Sequence, residues 1–212
     1  MNVVLVTSML RPVRDRTIFS TNERIEQTMK TIVTVREKIP HCYIIMIEGG
    51  YINSEEQIKF EGLVDYLFCT DVTKYFKSAG EASLLYRYLT SDHFKSLNDV
   101  ETVSKLSGRY YLNHDFNWDS LPQGKCIIVF VPVAWSGQPV YNTRYYRIPK
   151  GHLLNFTHGL ERYLKSRESS MIFPDIEHCF YSHNIIFHKE VYSPERLGVC
   201  GLITGTNEFV ID

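Results

Sequence analysis

The sequence lacks the two features that most often point to a charged or membrane partner. Its 23 basic residues stand against 24 acidic ones among 212, which gives a formal net charge of −1. A protein that binds nucleic acid by its phosphates needs an excess of positive charge, so no nucleic-acid partner is predicted. The longest apolar run, 126–135, contains Pro132 and is far shorter than the roughly 20 residues that span a membrane. We therefore predict no membrane span.

Cysteine is also scarce, and its pattern excludes two further classes. The five cysteines are odd in number and show none of the paired spacings of zinc sites. Free thiols of this kind indicate a reducing compartment, so the protein is expected to be cytoplasmic. The amino terminus, 1–10, has no basic residues ahead of its apolar stretch, which indicates a first strand rather than a signal peptide.

Three familiar catalytic or nucleotide-binding motifs are missing. The sequence has no GxxxxGK[ST] phosphate loop and no GxGxxG after its first strand, which argues against P-loop NTPases and dinucleotide dehydrogenases. It has no GxSxG motif of the α/β-hydrolases either. A nucleotide site, if present, must therefore be built from other residues.

The first half does show a regular alternation of strands and helices. Apolar runs predict strands at 3–6, 42–47, 66–69 and 102–111, the last interrupted at Ser107-Gly108. Capping patterns predict helices that open at Ser20, Ser54 and Ser78. Strand–helix units in series predict an α/β fold with a mainly parallel sheet and helices on both faces.

The second half is less regular. It predicts an antiparallel pair of strands at 126–135 and 141–148, and helices at 153–164 and 174–187. No repeat or linker separates the halves, so we expect one domain, 1–212, with a nucleotide-type half at 1–123 and a variable half at 124–212.

Ligands bind beyond the carboxyl ends of parallel strands, and small or charged residues stand at these ends. The segment 77–81, Lys-Ser-Ala-Gly-Glu, is typical of a helix start that binds phosphate, although it is equally typical of a plain helix cap. Arg109 follows a glycine that interrupts a strand, which suits a diphosphate or a kinked strand with a surface arginine. Asp175, Glu177 and His178 are candidates for a general base, or for acids that stabilise a helix start.

Three motifs in order carry a resemblance to a known family. They are KLSGRYYL at 105–112, IEH at 176–178 and GVCGLITGT at 198–206. Together they resemble a viral and bacterial group of small nucleotide-sugar glycosyltransferases of the GT-A fold, over nearly the whole chain. The resemblance implies a Rossmann-like sheet and transfer of a hexose or deoxyhexose from a UDP-sugar, such as UDP-glucose, to a glycan acceptor. For a viral member it implies capsid glycan synthesis in the host cytoplasm.

The resemblance also implies roles for individual residues. The base and ribose of the nucleotide fall to the first two strand ends, with the residues Thr7, Ser8, Arg11, Glu48 and Gly49. The ribose, diphosphate and sugar fall to Asp71, Lys77, Ser78 and Gly80. Glu177 is the implied base toward the acceptor hydroxyl, with Asp175 in reserve.

The sequence departs from the family at its metal motif. Ser107-Gly108-Arg109 stands where such enzymes carry an Asp-x-Asp that binds Mn²⁺ or Mg²⁺. Divalent ions of this kind prefer oxygen anions, so this substitution weakens the expectation of a conventional metal site. Arg109 would then neutralise the leaving diphosphate. The alternative is a metal held by the diphosphate and one side chain, for which Asp115 and His183 are the candidates.

Two other functions stay open at this point. A nucleotidyltransferase would share the fold but release pyrophosphate, and a degenerate transferase would bind glycans without catalysis. Because GT-A enzymes commonly have longer chains, the sequence is also expected to be one domain of a longer polypeptide.

Overall fold

The structure is a computed structural model that describes residues 1–12, 17–75, 77–134, 136–169, 175–182, 190–202 and 208–212. Its strands are β1 (Asn2–Ser8), β2 (Cys42–Glu48), β3 (Tyr66–Cys69), β4 (Thr102–Ser107), β5 (Tyr110–Leu112), β6 (Cys126–Val131), β7 (Val140–Pro149), β8 (Val191–Tyr192), β9 (Val199–Leu202) and β10 (Phe209–Ile211). Its helices are α1 (Thr21–Lys38), α2 (Ser54–Glu61), α3 (Lys77–Leu89), α4 (Asp92–Ser96), α5 (Lys150–Ser169) and α6 (Ile176–Ser182), with a short 3₁₀ turn at Trp118–Ser120.

A mixed sheet forms the centre of the fold. Its seven strands run in the order β3-β2-β1-β4-β7-β6-β8. The pairs β1–β2, β2–β3, β1–β4 and β6–β8 are parallel, whereas β7 is antiparallel to both β4 and β6. A second sheet of three strands has the order β10-β9-β5. The predicted α/β fold with a mainly parallel sheet is therefore confirmed, as is the antiparallel pair of the second half.

Both faces of the large sheet are buried, as the continuous apolar runs of β1 and β2 predict. Along β1, Leu5 belongs to the core that includes residues of α3, α5 and α6, and Val4 to the core on the α1 side. Both side chains are almost completely buried. Helices therefore cover both faces, and the strand ends are the part of the sheet that is left open.

The predicted helix starts have mixed outcomes. Ser20 caps α1 as expected, because its hydroxyl accepts from the Glu23 amide while the Glu23 carboxylate accepts from the Ser20 amide. The predicted cap at Ser54 is wrong by one residue, because Asn53 makes the reciprocal pair with Glu56. The predicted cap at Ser78 is also wrong, since α3 begins at Lys77 and Ser78 lies within its first turn.

Several predicted ends also need correction. The strand expected at 126–135 stops at Val131, before Pro132, which has no amide hydrogen for the ladder. The helix expected at 153–164 is longer at both ends. Of the helix expected at 174–187, the structure describes 176–182, and the remainder lies outside the described residues apart from Asp175. Among the described helices, none is long and apolar enough to cross a membrane.

Candidate active site

A cleft of about 150 Å³ opens where the strand ends predict a ligand, at the carboxyl ends of β1 and β4 between α1 and α3. Six residues expected to bind the nucleotide-sugar line it: Thr7, Ser8, Gly80, Ser107, Gly108 and Arg109. The lining also includes Arg24, Thr28, Tyr75 and Glu81, to which the sequence analysis assigned no role in binding the nucleotide-sugar. The structure thus brings together residues separated by about half the chain.

Gly108 allows the turn between β4 and β5 to approach β1 and α1 closely. Its amide donates to the Thr7 carbonyl oxygen at 2.8 Å. A Cβ atom at this position would lie 3.0 Å from Thr28 Oγ1 and 3.1 Å from the Thr7 oxygen, so a larger residue would push the turn away. The close approach of this glycine is thus to β1 and α1, and it carries Arg109 into the cleft lining.

Arg24 and Arg109 form what we call the cationic wall of the cleft. Arg24 donates to the Met9 carbonyl oxygen at 3.0 Å, while its buried Nε has no hydrogen-bond partner. Burial, and secondarily the positive charge of Arg109, lowers the pKa of Arg24 to about 10. Among the described residues Arg24 forms no ion pair with a carboxylate. Arg24 therefore brings a positive charge without a carboxylate partner to the cleft, which Arg109 also lines.

Glu48 is a buried carboxylate whose negative charge acts on Arg24 of the cationic wall. It is fully buried, and its Oε1 accepts from the amides of Leu10 at 3.1 Å and Gly50 at 2.9 Å. Its Oε2 makes no hydrogen bond of good geometry. Burial raises the pKa of Glu48 to about 7, while the Ser8 hydroxyl, the two amides and the charge of Arg24 act to lower it. Glu48 thus ties two loops together and is not part of the described cleft lining.

Gly49 is required for packing beside Glu48. Its amide donates to the Ser8 carbonyl oxygen at 2.9 Å, which joins the ends of β1 and β2. A Cβ atom at Gly49 would lie 2.8 Å from Val72 Cγ2, closer than side chains pack. The structure therefore explains this glycine by close packing next to the cleft.

Two predicted donor-binding residues lie elsewhere. Arg11 forms a bidentate ion pair with Glu56, with nitrogen–oxygen distances of 2.7 and 2.5 Å, and that hydrogen bonding raises the Arg11 pKa. Asp71 is exposed and accepts from the Thr73 hydroxyl and amide, which lower its pKa. Neither belongs to the described lining of the cleft.

The two remaining residues expected to bind the donor stand in the first turn of α3. Ser78 lies in the first turn of α3 and is half-buried, outside the described lining. Lys77 begins α3, but its side chain is not among those described. The expected role of Lys77 in binding the diphosphate therefore stays a prediction, and Arg24 is a cation that the structure places beside Arg109.

Glu81, which lines the cleft, together with the buried residues Lys105 and Thr143 behind it, is what we call the compensated wall. Lys105 is fully buried, and its ammonium group forms an ion pair with Glu81 Oε1. It also donates to Ser107 Oγ at 2.7 Å and to the Thr143 carbonyl oxygen at 2.6 Å. Every donor direction of this buried ammonium is thus used, and its charge is matched.

Glu177 joins the compensated wall from α6. The Thr143 hydroxyl donates to Glu177 Oε1 at 3.2 Å, while the carbonyl of Thr143 accepts from Lys105. The predicted base is therefore linked to the cleft residue Ser107 through Thr143 and the Lys105 ammonium group. It lies beside the end of β4, on the side of the cleft away from β1.

Asp175, the reserve base, is engaged with a different partner. Its Oδ1 lies 2.6 Å from His178 Nδ1 and accepts from the His178 amide at 3.1 Å. His178 Nε2 in turn lies 2.6 Å from Ser136 Oγ. Because Asp175 orients His178, the geometry favours Glu177 over Asp175 as the carboxylate that faces the sheet end.

Of the two suggested metal ligands, one lies away from the cleft and the other is not described. Asp115 lies after β5, where it contacts Asn113 and His114 and is absent from the described lining of the cleft. His183 lies outside the described residues. Within the part of the chain that is described, no group of three or more His, Cys, Asp or Glu residues is arranged to hold a metal ion.

Comparison with solved structures identifies the architecture. The chain is similar to the glycosyltransferase GlyE of Streptococcus pneumoniae TIGR4, with a TM-score of 0.54 and 14% sequence identity over 91% of this chain and 45% of GlyE. It is also similar to a glycosyltransferase involved in the glycosylation of the major capsid of PBCV-1, with a TM-score of 0.50 and 14% identity over 92% of this chain and 82% of the other. The fold is GT-A-like.

The GT-A-like fold is what these comparisons establish, since identities this low carry the architecture alone. The chain spans less than half the length of GlyE. No protein-family model matches the sequence, and no curated protein matches it. Function must therefore be argued from the cleft, whose place at the carboxyl ends of the parallel strands is where such sheets bind ligands.

Proposed function

We propose that this chain is a glycosyltransferase that transfers a hexose or deoxyhexose from a UDP-sugar to a glycan acceptor. The observation that carries the proposal is the cleft itself, in which two arginines line the carboxyl ends of β1 and β4. A planar guanidinium donates two parallel hydrogen bonds to phosphate oxygens, which suits a diphosphate. The GT-A-like architecture, found in two glycosyltransferases, supports the same reaction class.

The reaction assigns a role to each wall. The acceptor oxygen forms a bond to the anomeric carbon while the bond from that carbon to the diphosphate oxygen breaks, and its electron pair leaves with UDP. The cationic wall stabilises the negative charge that develops on this leaving group. Glu177 accepts the proton of the acceptor hydroxyl, a general-base role for which its place beside the end of β4 is suitable.

The acceptor is proposed by analogy with the second structural neighbour. That protein takes part in glycosylation of the major capsid of PBCV-1. A glycan of a viral capsid glycoprotein is accordingly our proposed acceptor, and a cytoplasmic location follows from that proposal. Further domains on the same polypeptide are proposed as well, since GlyE is more than twice as long as the stretch that this chain matches.

A screen of UDP-sugars tests the proposal. We expect release of UDP from at least one of them, either by hydrolysis or on addition of a glycan acceptor, with Arg109→Ala strongly impaired. Glu177→Gln should lower kcat by about 10²–10⁴-fold, the usual contribution of a general base, and leave UDP affinity intact. Pyrophosphate release would indicate a nucleotidyltransferase instead. Sugar binding without turnover would indicate a glycan-binding module, and full turnover in Arg109→Ala would refute the diphosphate site.

A further inference from the structure

The fold family implies a divalent ion on the diphosphate, but the residues at the cleft do not fit one. Mn²⁺ and Mg²⁺ are bound through oxygen anions, and Ser107-Gly108-Arg109 replaces both carboxylates of the family motif. The carboxylate in the described lining is Glu81, whose Oε1 is paired with the Lys105 ammonium. The lining adds two guanidinium groups, which repel a cation.

The other carboxylates near the cleft do not change this conclusion. Glu48 is fully buried, uses one oxygen for two backbone amides and is absent from the described lining. Glu177 is hydrogen-bonded to Thr143 on the far side of Lys105. A metal at the cleft would therefore find fixed positive charges where the family supplies negative ones.

The same residues do fit a diphosphate. Arg24 comes from α1 and Arg109 from the turn after β4, so the two guanidiniums reach the cleft from different elements. The Met9 carbonyl anchors Arg24 through one nitrogen, while its buried Nε is left without a partner. Burial, and secondarily the positive charge of Arg109, lowers the Arg24 pKa, and an anion bound between the two side chains would offset both effects.

We propose that the cationic wall replaces the metal: Arg24 and Arg109 together bind the diphosphate of the nucleotide-sugar without a divalent ion. The inference rests on the proposed function. It adds Arg24 as a binding residue and states that the nucleotide-sugar binds without a metal ion. The two positive charges match the diphosphate of the bound nucleotide-sugar, in which each of the two phosphates carries one negative charge. Arg24 remains protonated throughout the neutral range, so this compensation does not depend on metal or pH near 7.

Calorimetric titration of the full chain with UDP, in chelator and in Mn²⁺, tests the inference without relying on turnover. We expect the affinity in chelator to lie within about threefold of that in Mn²⁺. Arg24→Met and Arg109→Met should each weaken binding in chelator by about tenfold or more, since a hydrogen bond to a charged group contributes about 1.5–3 kcal/mol. Arg36→Met is the matched control, because Arg36 also lies on α1 but pairs with Asp65 at the exposed surface.

The possible results separate the inference from the function on which it rests. UDP binding that requires Mn²⁺ overturns the metal independence and leaves the glycosyltransferase proposal standing. Binding in chelator that Arg24→Met leaves unchanged overturns the role of Arg24. Failure of UDP to bind in either condition, with circular dichroism showing a folded chain, refutes the nucleotide site and with it both proposals.

Discussion

The two walls of the cleft treat buried positive charge in opposite ways. On the compensated wall, the ammonium of Lys105 is fully buried and meets a carboxylate, a hydroxyl and a carbonyl oxygen. On the cationic wall, Arg24 has a carbonyl for one nitrogen, an unpartnered Nε and a second guanidinium nearby. A charge that is fully matched supports the fold, whereas one left unmatched costs stability and is available to a ligand.

The largest expected effect comes from breaking the compensated wall. Glu81→Ala removes the counter-charge of an ammonium that has no access to water. Removing one partner of a buried ion pair destabilises proteins by about 3–5 kcal/mol, because the other charge stays buried and unpaired. We expect a loss of this size in the free energy of unfolding, measured by urea denaturation.

Two further variants serve as controls for this result. Glu161→Ala breaks an exposed ion pair with Lys165 on α5 and should change stability only slightly. Lys105→Met in the Glu81→Ala background removes the orphaned charge and should restore much of the loss. Equal effects of Glu81→Ala and Glu161→Ala would show that the two walls do not differ as described.

The next effect depends on pH and concerns Glu48, the buried carboxylate whose charge acts on Arg24. Burial holds the folded-state pKa of Glu48 at about 7, against an ordinary value of 4.5. The folded chain therefore binds a proton that the unfolded chain has lost, so stability falls as pH rises from about 4.5 to about 7 and is level above that. The full difference corresponds to about 3 kcal/mol.

Glu48→Gln tests this, because the amide oxygen of glutamine can still accept from Leu10 and Gly50. We expect the variant to be more stable than the parent near pH 8, by up to the full difference, and similar to it near pH 5. Glu23→Gln is the control of opposite sign. Hydrogen bonds from Ser20 lower the Glu23 pKa, so the stability that this carboxylate contributes is present above about pH 4.5 and is lost only as pH falls below that value. Parallel pH profiles for Glu48→Gln and the parent would contradict the assignment.

A smaller effect of unusual sign is expected on the cationic wall. Arg24→Met removes a partly buried charge that is repelled by Arg109, at the loss of one hydrogen bond to Met9. We expect the ligand-free variant to be more stable by about 1 kcal/mol, the difference between the relieved charge and the lost hydrogen bond. Arg36→Met, which breaks an exposed pair with Asp65, should instead lower stability slightly. Destabilisation by Arg24→Met would mean that the cationic wall is compensated after all.

Sequence patterns predicted the architecture well for a physical reason. A strand buried on both faces, such as β1, appears as a continuous apolar run, and the cap at Ser20 is a local exchange of hydrogen bonds over three residues. Both are encoded in short segments. The fourth strand could likewise be predicted to break at Gly108, because a glycine within a strand marks a close approach.

The missed residues of the site are those whose partners are distant in sequence. Glu81 resembles an acid at a helix start until its pairing with Lys105 is seen, and Arg24 resembles an ordinary polar position of an amphipathic helix until α1 is placed beside Arg109. Arg11, in contrast, was assigned to the ligand because of its place after β1, but Glu56 occupies it. Such pairings depend on how the helices pack, which local patterns do not encode.

The smallest expected effect is that of Gly80→Ala on α3, next to Glu81. It tests whether Gly80 serves the helix alone or also the binding of phosphate. A Cβ atom there would have its nearest neighbour, the Val72 carbonyl oxygen, at an ordinary 3.8 Å. Gly80→Ala should therefore stabilise the chain by about 0.5–1 kcal/mol through helix propensity. Gly151→Ala, in the first turn of α5 with nothing within 4 Å of the added atom, is the matched control away from the cleft. If Gly80 allows a phosphate to approach as predicted, UDP affinity falls in Gly80→Ala and not in Gly151→Ala. Equal UDP affinity in the two variants would mean that the cationic wall binds the phosphate without help from α3.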